Sequence, residues 1–178
     1  SFTRSYGRSA LKELRRVHQE DKIDVVHLHC PMVSWDDNQF KTCHRDIAPV
    51  VSSMHGTWLG ERDGLLLAAK YGEPAVWSNP NDIAIRFLAR RYSEYEKSAI
   101  NFSKVVVPNS VATMQDLVSR YGAPDDWDCQ VIHWGVDTGM FVPPHRDSED
   151  VVHRHDEIRS RFSIPQDSLF ILAVGRLA

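Results

Sequence analysis

Residues 49–60 read Pro-Val-Val-Ser-Ser-Met-His-Gly-Thr-Trp-Leu-Gly, and this stretch gives the clearest indication of the fold. Its first half is a short apolar run with β-branched residues, which predicts a buried strand over residues 49–54. His55 and Gly56 come directly after this strand. Because ligands of open α/β sheets bind at the carboxyl ends of the strands, His55 is a candidate site residue. The alternative is a turn in which Gly56 supplies a positive φ and the histidine is solvated.

The rest of the chain alternates predicted strands with predicted helices. Apolar runs predict further strands at residues 24–29, 104–108, 130–133 and 169–174. Helices are predicted at residues 4–18, 34–46, 83–101, 111–121 and 157–162. Asp82 and Ser110 are the expected N-caps of the third and fourth of these helices. This alternation is typical of a Rossmann-like, doubly wound parallel sheet, so the predicted fold class is α/β.

Two segments interrupt the alternation. Residues 56–81 contain four glycines, two prolines and two tryptophans, which predicts a long irregular connection. Residues 143–156 are rich in Pro, His, Arg, Asp, Ser and Glu, which is typical of a linker. We therefore predict one domain at residues 1–142, a linker at residues 143–156, and the start of a second domain at residues 157–178.

Composition narrows the class of protein. The chain has 178 residues, of which 42% are hydrophobic and 25% charged, as in soluble globular proteins. A net charge of −3 gives no electrostatic argument for nucleic-acid binding. No apolar run approaches the roughly 20 residues that a membrane span needs, although peripheral membrane contact stays open. The three cysteines (Cys30, Cys43, Cys129) are scattered, which we interpret as reduced thiols in a cytoplasmic protein.

Candidate chemical groups are mostly histidines. His27 and His29 lie two residues apart in a predicted strand and therefore share a face, and His153 and His155 have the same spacing in the linker. Neither pair has an obvious third ligand, so ordinary hydrogen bonding is favoured over a metal site. The chain has no Gly-x-Ser-x-Gly elbow and no glycine-rich phosphate loop. Arg176, after Gly175 at the end of a predicted strand, is a candidate phosphate ligand.

Several motifs follow one another along the chain in an order that a known protein family shares. The first three are Asp-Val-Val-His-Leu-His-Cys-Pro at residues 24–31, the stretch at 49–58, and a helix with Glu96 that leads to Lys-Val-Val-Val-Pro-Asn-Ser at 104–110. The most specific are the last two, Gly-Val-Asp-Thr-Gly-Met-Phe-Val-Pro at 135–143 and Val-Gly-Arg-Leu at 174–177. This order resembles the family 4 retaining glycosyltransferases of the GT-B fold. That family includes sucrose and sucrose-phosphate synthases, bacterial glycogen synthases and many glycan-building enzymes.

The resemblance implies a function and a site. It implies an amino-terminal GT-B half from an enzyme that transfers a hexose from a nucleotide sugar to a sugar or other hydroxyl acceptor. No metal and no cofactor are implied, since the nucleotide sugar is a co-substrate. By position in the motifs, His55 is the expected catalytic residue, and the expected substrate-binding residues are Gly56, Thr57, Trp58, Asn109, Ser110 and Arg176.

The chain also departs from the family pattern. Trp134 stands where the family usually has asparagine, the first strand and its glycine-rich loop have no counterpart, and a lysine and a pair of donor-binding glutamates would follow Ala178. We therefore expect a fragment, incomplete at both ends and inactive alone, whose missing carboxyl-terminal domain or a partner chain completes the site. Two alternatives stay open: a truncated, non-catalytic α/β domain that acts with a partner chain, or a fragment of a GT-B nucleotide-sugar epimerase.

Overall fold

A computed structural model of the chain describes residues 2–30, 34–141, 149–169 and 171. The chain divides into two compact units, Ser1–Trp134 and Gly135–Ala178. The described part of the second unit contains the helix α7 (Glu149–Arg161). The elements of the first unit are, in chain order, α1 (Phe2–Glu20), β1 (Val26–Cys30), α2 (Asp37–Asp46), β2 (Val50–Met54), α3 (Trp58–Lys70), α4 (Ala75–Ser78), α5 (Pro80–Phe102), β3 (Val105–Pro108) and α6 (Val111–Tyr121).

The three strands form one parallel sheet in the order β1-β2-β3. Helices connect successive strands, as parallel pairing requires. In the register, His29 pairs with Ser53 and Ser53 pairs with Val107. The predicted α/β class with a parallel sheet is therefore confirmed. The helices predicted at residues 4–18, 34–46, 83–101 and 111–121 are confirmed as well, with Ser110 as the N-cap of α6.

The two faces of the sheet differ in what covers them. On one face, which we call the core face, α2 and α5 pack over β2 and the side chains are buried: Val26, Leu28, Val50, Ser52, Met54, Val106 and Pro108. The alternate residues point to the opposite face, which we call the open face: His27, His29, Val51, Ser53, Val105 and Val107. On the open face both histidines are exposed and the three valines are only half-buried.

The prediction of an irregular connection over residues 56–81 is wrong. Helix α3 begins at Trp58, α4 follows, and α5 begins at Pro80. Thr57 caps α3 through its side chain, which accepts a hydrogen bond from the Gly60 amide at 2.9 Å. Gly60 fits because a Cβ atom there would lie 2.8 Å from the Thr57 hydroxyl. The glycine thus permits a close approach inside the helix instead of breaking it.

Three further details of the secondary structure differ from the predictions. The N-cap of α5 is Asn79, whose side chain accepts from the Asn81 amide, whereas Asp82 lies buried in the first turn. Residues 130–133 are not a strand: the segment follows β3 through one bridge, Val106 to Cys129, and a few backbone hydrogen bonds. Helix α7 begins at Glu149, so the second half of the predicted linker is helical.

Residues 149–156 are therefore helical, and their assignment to a linker stays a prediction. The predicted strand at residues 169–174 falls largely outside the described residues. No helix in the described part of the chain is long and apolar enough to cross a membrane.

Candidate functional site

A pocket of about 340 Å³ lies on the open face of the sheet, within the first unit. It extends from the middle of the strands to their carboxyl ends, where ligands of parallel sheets bind. Its lining follows the alternation of the strands, with residues 27 and 29 from β1, 51 and 53 from β2, and 107 from β3. The full lining is His27, His29, Val51, Ser53, His55, Val107, Asn109, Ile132, His133 and Trp134.

Three histidines form a connected row in this pocket. His27 Nε2 is 2.7 Å from the Ser53 hydroxyl, and His29 Nδ1 is 3.0 Å from His55 Nε2. The ring centroids of His27 and His29 are 4.6 Å apart, and those of His29 and His55 are 5.3 Å apart and stacked. The indole of Trp134 lies 5.2 Å from the His55 ring. The row therefore places imidazole rings and an indole ring next to one another at the carboxyl ends of β1 and β2.

His55 is neutral at physiological pH in this arrangement. Burial lowers its pKa below the usual value near 6.5, and the neighbouring His29 and His27 lower it further. Its Nε2 atom bonds to His29, whereas its buried Nδ1 atom has no partner among the described residues. Depending on which tautomer the pair adopts, Nδ1 is a free donor or a free acceptor. A ligand hydroxyl can serve as either partner.

The lining of the pocket carries neutral hydrogen-bonding groups beside aromatic rings. Among the described residues, the lining carries hydroxyl, amide, imidazole and indole groups but no carboxylate. Across the described ranges, no three His, Cys, Asp or Glu side chains are arranged to hold a metal ion. Neutral donors and acceptors beside an aromatic ring are the groups that orient a small ligand in a mostly apolar pocket.

Two acidic side chains, Glu96 and Asp116, bind the residues that follow His55. The backbone amide of Trp58 donates to the Glu96 carboxylate at 2.9 and 3.2 Å, and Glu96 also accepts from the Tyr121 hydroxyl at 2.5 Å. The Thr57 hydroxyl donates a hydrogen bond to the Asp116 carboxylate at 2.5 Å. Residues of α5 and α6 thus fix the chain immediately after His55.

The predicted site residues fall into three groups. His55 and Asn109 line the pocket, and Gly56 follows His55 with open space where a Cβ atom would be. Thr57, Trp58 and Ser110 lie outside the lining. Thr57 and Ser110 cap α3 and α6, and the Trp58 ring packs 5.1 Å from the ring of Tyr92. Arg176 lies outside the described residues. The substrate-binding roles of all these residues stay predictions.

Sequence reasoning missed the connection between His55 and the two strand histidines. It placed His27 and His29 on one face but did not assign them to the same face as His55. The available signal was the two-residue alternation of strand side chains, which places His27 and His29 on the face opposite to the apolar Val26 and Leu28. It named Glu96 only as part of a motif and assigned it no contact, although position 96 lies three and four residues from the buried Ala99 and Ile100 of the same helix.

Comparison with known proteins points to one family. The family described as Glycosyltransferase Family 4 matches residues 2–139, more than half of the chain. A D-inositol 3-phosphate glycosyltransferase from Nocardioides sp. is 28% identical over 156 residues, which cover 86% of this chain and 28% of that relative. The chain therefore spans less than a third of the length of this relative. These matches do not favour a non-catalytic domain or an epimerase.

Proposed function

The chain belongs to Glycosyltransferase Family 4, and from this membership we propose that it is the acceptor-side part of a retaining glycosyltransferase. The complete enzyme transfers a hexose from a nucleotide sugar to an acceptor hydroxyl. The observation that carries the proposal is the row of His29, His55 and Trp134 at the carboxyl ends of the strands, within the region that matches the family.

In this proposal the pocket positions sugar hydroxyls and does not attack the donor. The bond between the anomeric carbon and the diphosphate oxygen breaks, and the acceptor oxygen bonds to the same face of that carbon. The acceptor proton leaves with the departing diphosphate. His55, neutral and with Nδ1 unpartnered, bonds a hydroxyl of the donor sugar or the acceptor. Holding the reacting groups in one geometry is itself a large contribution to rate.

The remaining parts of the proposal rest on the family resemblance. Arg176 offsets the charge that develops on the leaving diphosphate, and the donor is otherwise held by a carboxyl-terminal domain. The nucleotide sugar is a co-substrate, and no resident cofactor takes part. The 178-residue chain alone is expected to lack transfer activity, because the donor pocket belongs mostly to that second domain.

The test is a transfer assay on the full-length protein. UDP-, GDP- and ADP-hexoses are offered with a panel of hydroxyl acceptors that includes D-inositol 3-phosphate, the compound in the relative's name. Nucleotide release and product mass report transfer, and NMR of the product reports the anomeric configuration. Retention supports the proposal. Inversion overturns the stereochemical part, and the absence of transfer from every donor overturns the activity.

A substitution of His55 tests whether the pocket takes part in the reaction. His55→Ala is expected to lower kcat/KM by about 100-fold or more, because an essential positioning contact is lost. The matched control is His44→Ala, since His44 is an exposed histidine of α2 that bonds the Phe102 carbonyl and lies outside the pocket lining. Equal rates for the two variants would remove His55 from the site.

A further inference from the structure

Helix α3 is held in place without a buried side chain of its own. None of its 13 residues, all of them described, is fully buried, although the helix packs along α5. Helices of globular proteins are usually fixed by an apolar face. Here the fixed point is instead the first turn, which begins three residues after His55 and is bound by polar side chains of α5 and α6.

Glu96 provides the most buried of these contacts. The residue is 1% exposed, and its carboxylate faces the amino-terminal end of α3. There it accepts from the Trp58 amide, one of the orphan N–H groups that every helix start leaves unsatisfied. A carboxylate in this place also interacts favourably with the helix dipole. The Tyr121 hydroxyl completes its hydrogen bonding.

Asp116 provides a second contact beside the first. It accepts from the Thr57 hydroxyl and is held by Arg120, whose Nε donates to it at 2.6 Å. Arg120 also donates to Asp63 of α3 at 2.8 Å. Asp116 and Arg120 of α6 therefore bind the start of α3 at two points, Thr57 and Asp63, and Tyr121 of the same helix bonds Glu96 of α5.

Charged and polar side chains of α3 and α6 surround Glu96. Glu61 and Asp63 come from α3, and Asp116, Arg120 and Tyr121 come from α6. Burial, with a smaller contribution from the charges of Asp116 and Glu61, raises the pKa of Glu96 to about 7, although the hydrogen bonds from Tyr121 and Trp58 lower it. The carboxyl group is therefore partly protonated near neutral pH.

We propose that Glu96 is a positioning residue that fixes the start of α3 and, through it, the orientation of His55 in the pocket. The covalent path is short, since only Gly56 and Thr57 separate His55 from the bonded amide of Trp58. The kinetic consequence rests on the proposed function, but the structural consequence does not.

The structural test is NMR of the full chain, with no substrate present. Glu96→Ala removes the acceptor and is expected to speed hydrogen exchange of the Trp58 and Gly60 amides by about tenfold or more. It is also expected to move the His55 titration toward the ordinary histidine value. Glu96→Gln retains an acceptor for Trp58 and offers Tyr121 a donor, so it is expected to keep both properties near those of the unmodified protein.

The matched control is Ser98→Ala on the same helix. Ser98 is buried and bonds Asp37 of α2 at 2.6 Å, so its loss perturbs α5 away from the His55 loop. Equal effects of Ser98→Ala and Glu96→Ala would overturn the proposal, as would unchanged exchange in Glu96→Ala. If Glu96→Ala fails to fold, Tyr121→Phe takes its place: faster Trp58 exchange supports the proposal and unchanged exchange overturns it.

The kinetic test uses the full-length enzyme. Glu96→Ala is expected to lower kcat by about 10- to 100-fold with a smaller change in KM, and Glu96→Gln to restore most of the rate. A full rate in a folded Glu96→Ala enzyme would overturn the proposal. An unmodified enzyme without transfer activity would refute the proposed function alone, because the NMR comparison would still decide the role of Glu96.

Discussion

The core face and the open face are built from alternate residues of the same three strands, yet they serve different purposes. Val50 is completely buried in the core, whereas its neighbour Val51 lines the pocket. The core face is apolar except for Ser52, which bonds Ser103, and the open face carries two histidines and Ser53. The difference shows how one short strand contributes both to stability and to a ligand site, because successive side chains point to opposite sides.

The largest expected effect is the change of stability with pH that Glu96 of α5 causes. The pKa of Glu96 is raised from 4.5 to about 7, so the folded state binds a proton more tightly than the unfolded state. Its contribution to stability is complete below about pH 4 and is lost as the pH rises through about 7. The expected loss is about 3 kcal/mol. Denaturant unfolding from pH 4 to pH 8 measures it, and Glu96→Gln is expected to remove this slope. An identical slope in the variant would refute the assignment.

A pair of identical substitutions compares the two faces directly. Val50→Ala opens a cavity in the core and is expected to lower the free energy of unfolding by about 2 kcal/mol. Val51→Ala removes the same atoms from a half-buried position and is expected to cost less than about 1 kcal/mol. Urea unfolding of both variants tests the pair. Equal losses would mean that the open face is covered as completely as the core face.

The loop between the open face and α3 gives a smaller effect. Thr57→Ala removes an N-cap and the donor to Asp116, and is expected to lower the free energy of unfolding by about 1 kcal/mol. Thr57→Ser keeps the hydroxyl and is expected to restore most of the loss. Thermal or chemical unfolding of the two variants checks this. A loss that serine does not restore would point to the Thr57 methyl group and not to the cap.

The smallest effect concerns titration within the histidine row. His29→Ala removes one of the charges that lower the pKa of His55, while the burial that lowers it most remains. The pKa of His55 is therefore expected to rise toward the ordinary histidine value without exceeding it. NMR titration of the His55 ring measures this shift. A fall in the pKa would mean that His29 favours the charged form of His55.

Much of the fold could be predicted because its causes are local. Apolar periodicity identified three strands and three helices (α1, α5 and α6), and the Ser110 and Gly122 boundaries of α6 follow from cap chemistry. Helix α3 could not be predicted from local composition. Its glycines read as helix breakers, and only the contact of Gly60 with Thr57 and Asp116 explains why one is needed.

The site was predictable only in part for a similar reason. His55 was identified from its place after β2, which is a local feature. Its bond to His29 depends on the register between β1 and β2, and the register follows from the packing of the whole sheet. The burial of Glu96 was not predicted, because a carboxylate on a helix is ordinarily exposed. Its burial depends on the Trp58 amide and the Tyr121 hydroxyl, which come from elements distant in sequence.

The central claim is that sugar ligands bind on the open face beside His55. The most direct measurement is a side-chain NMR titration of the histidines in the full-length protein with a nucleotide sugar and an acceptor. We predict that the His29 and His55 resonances shift with saturation, whereas the His44 resonance of α2 does not. Pocket histidines that stay unchanged while the ligand binds elsewhere, or an equal shift of His44, would contradict the account.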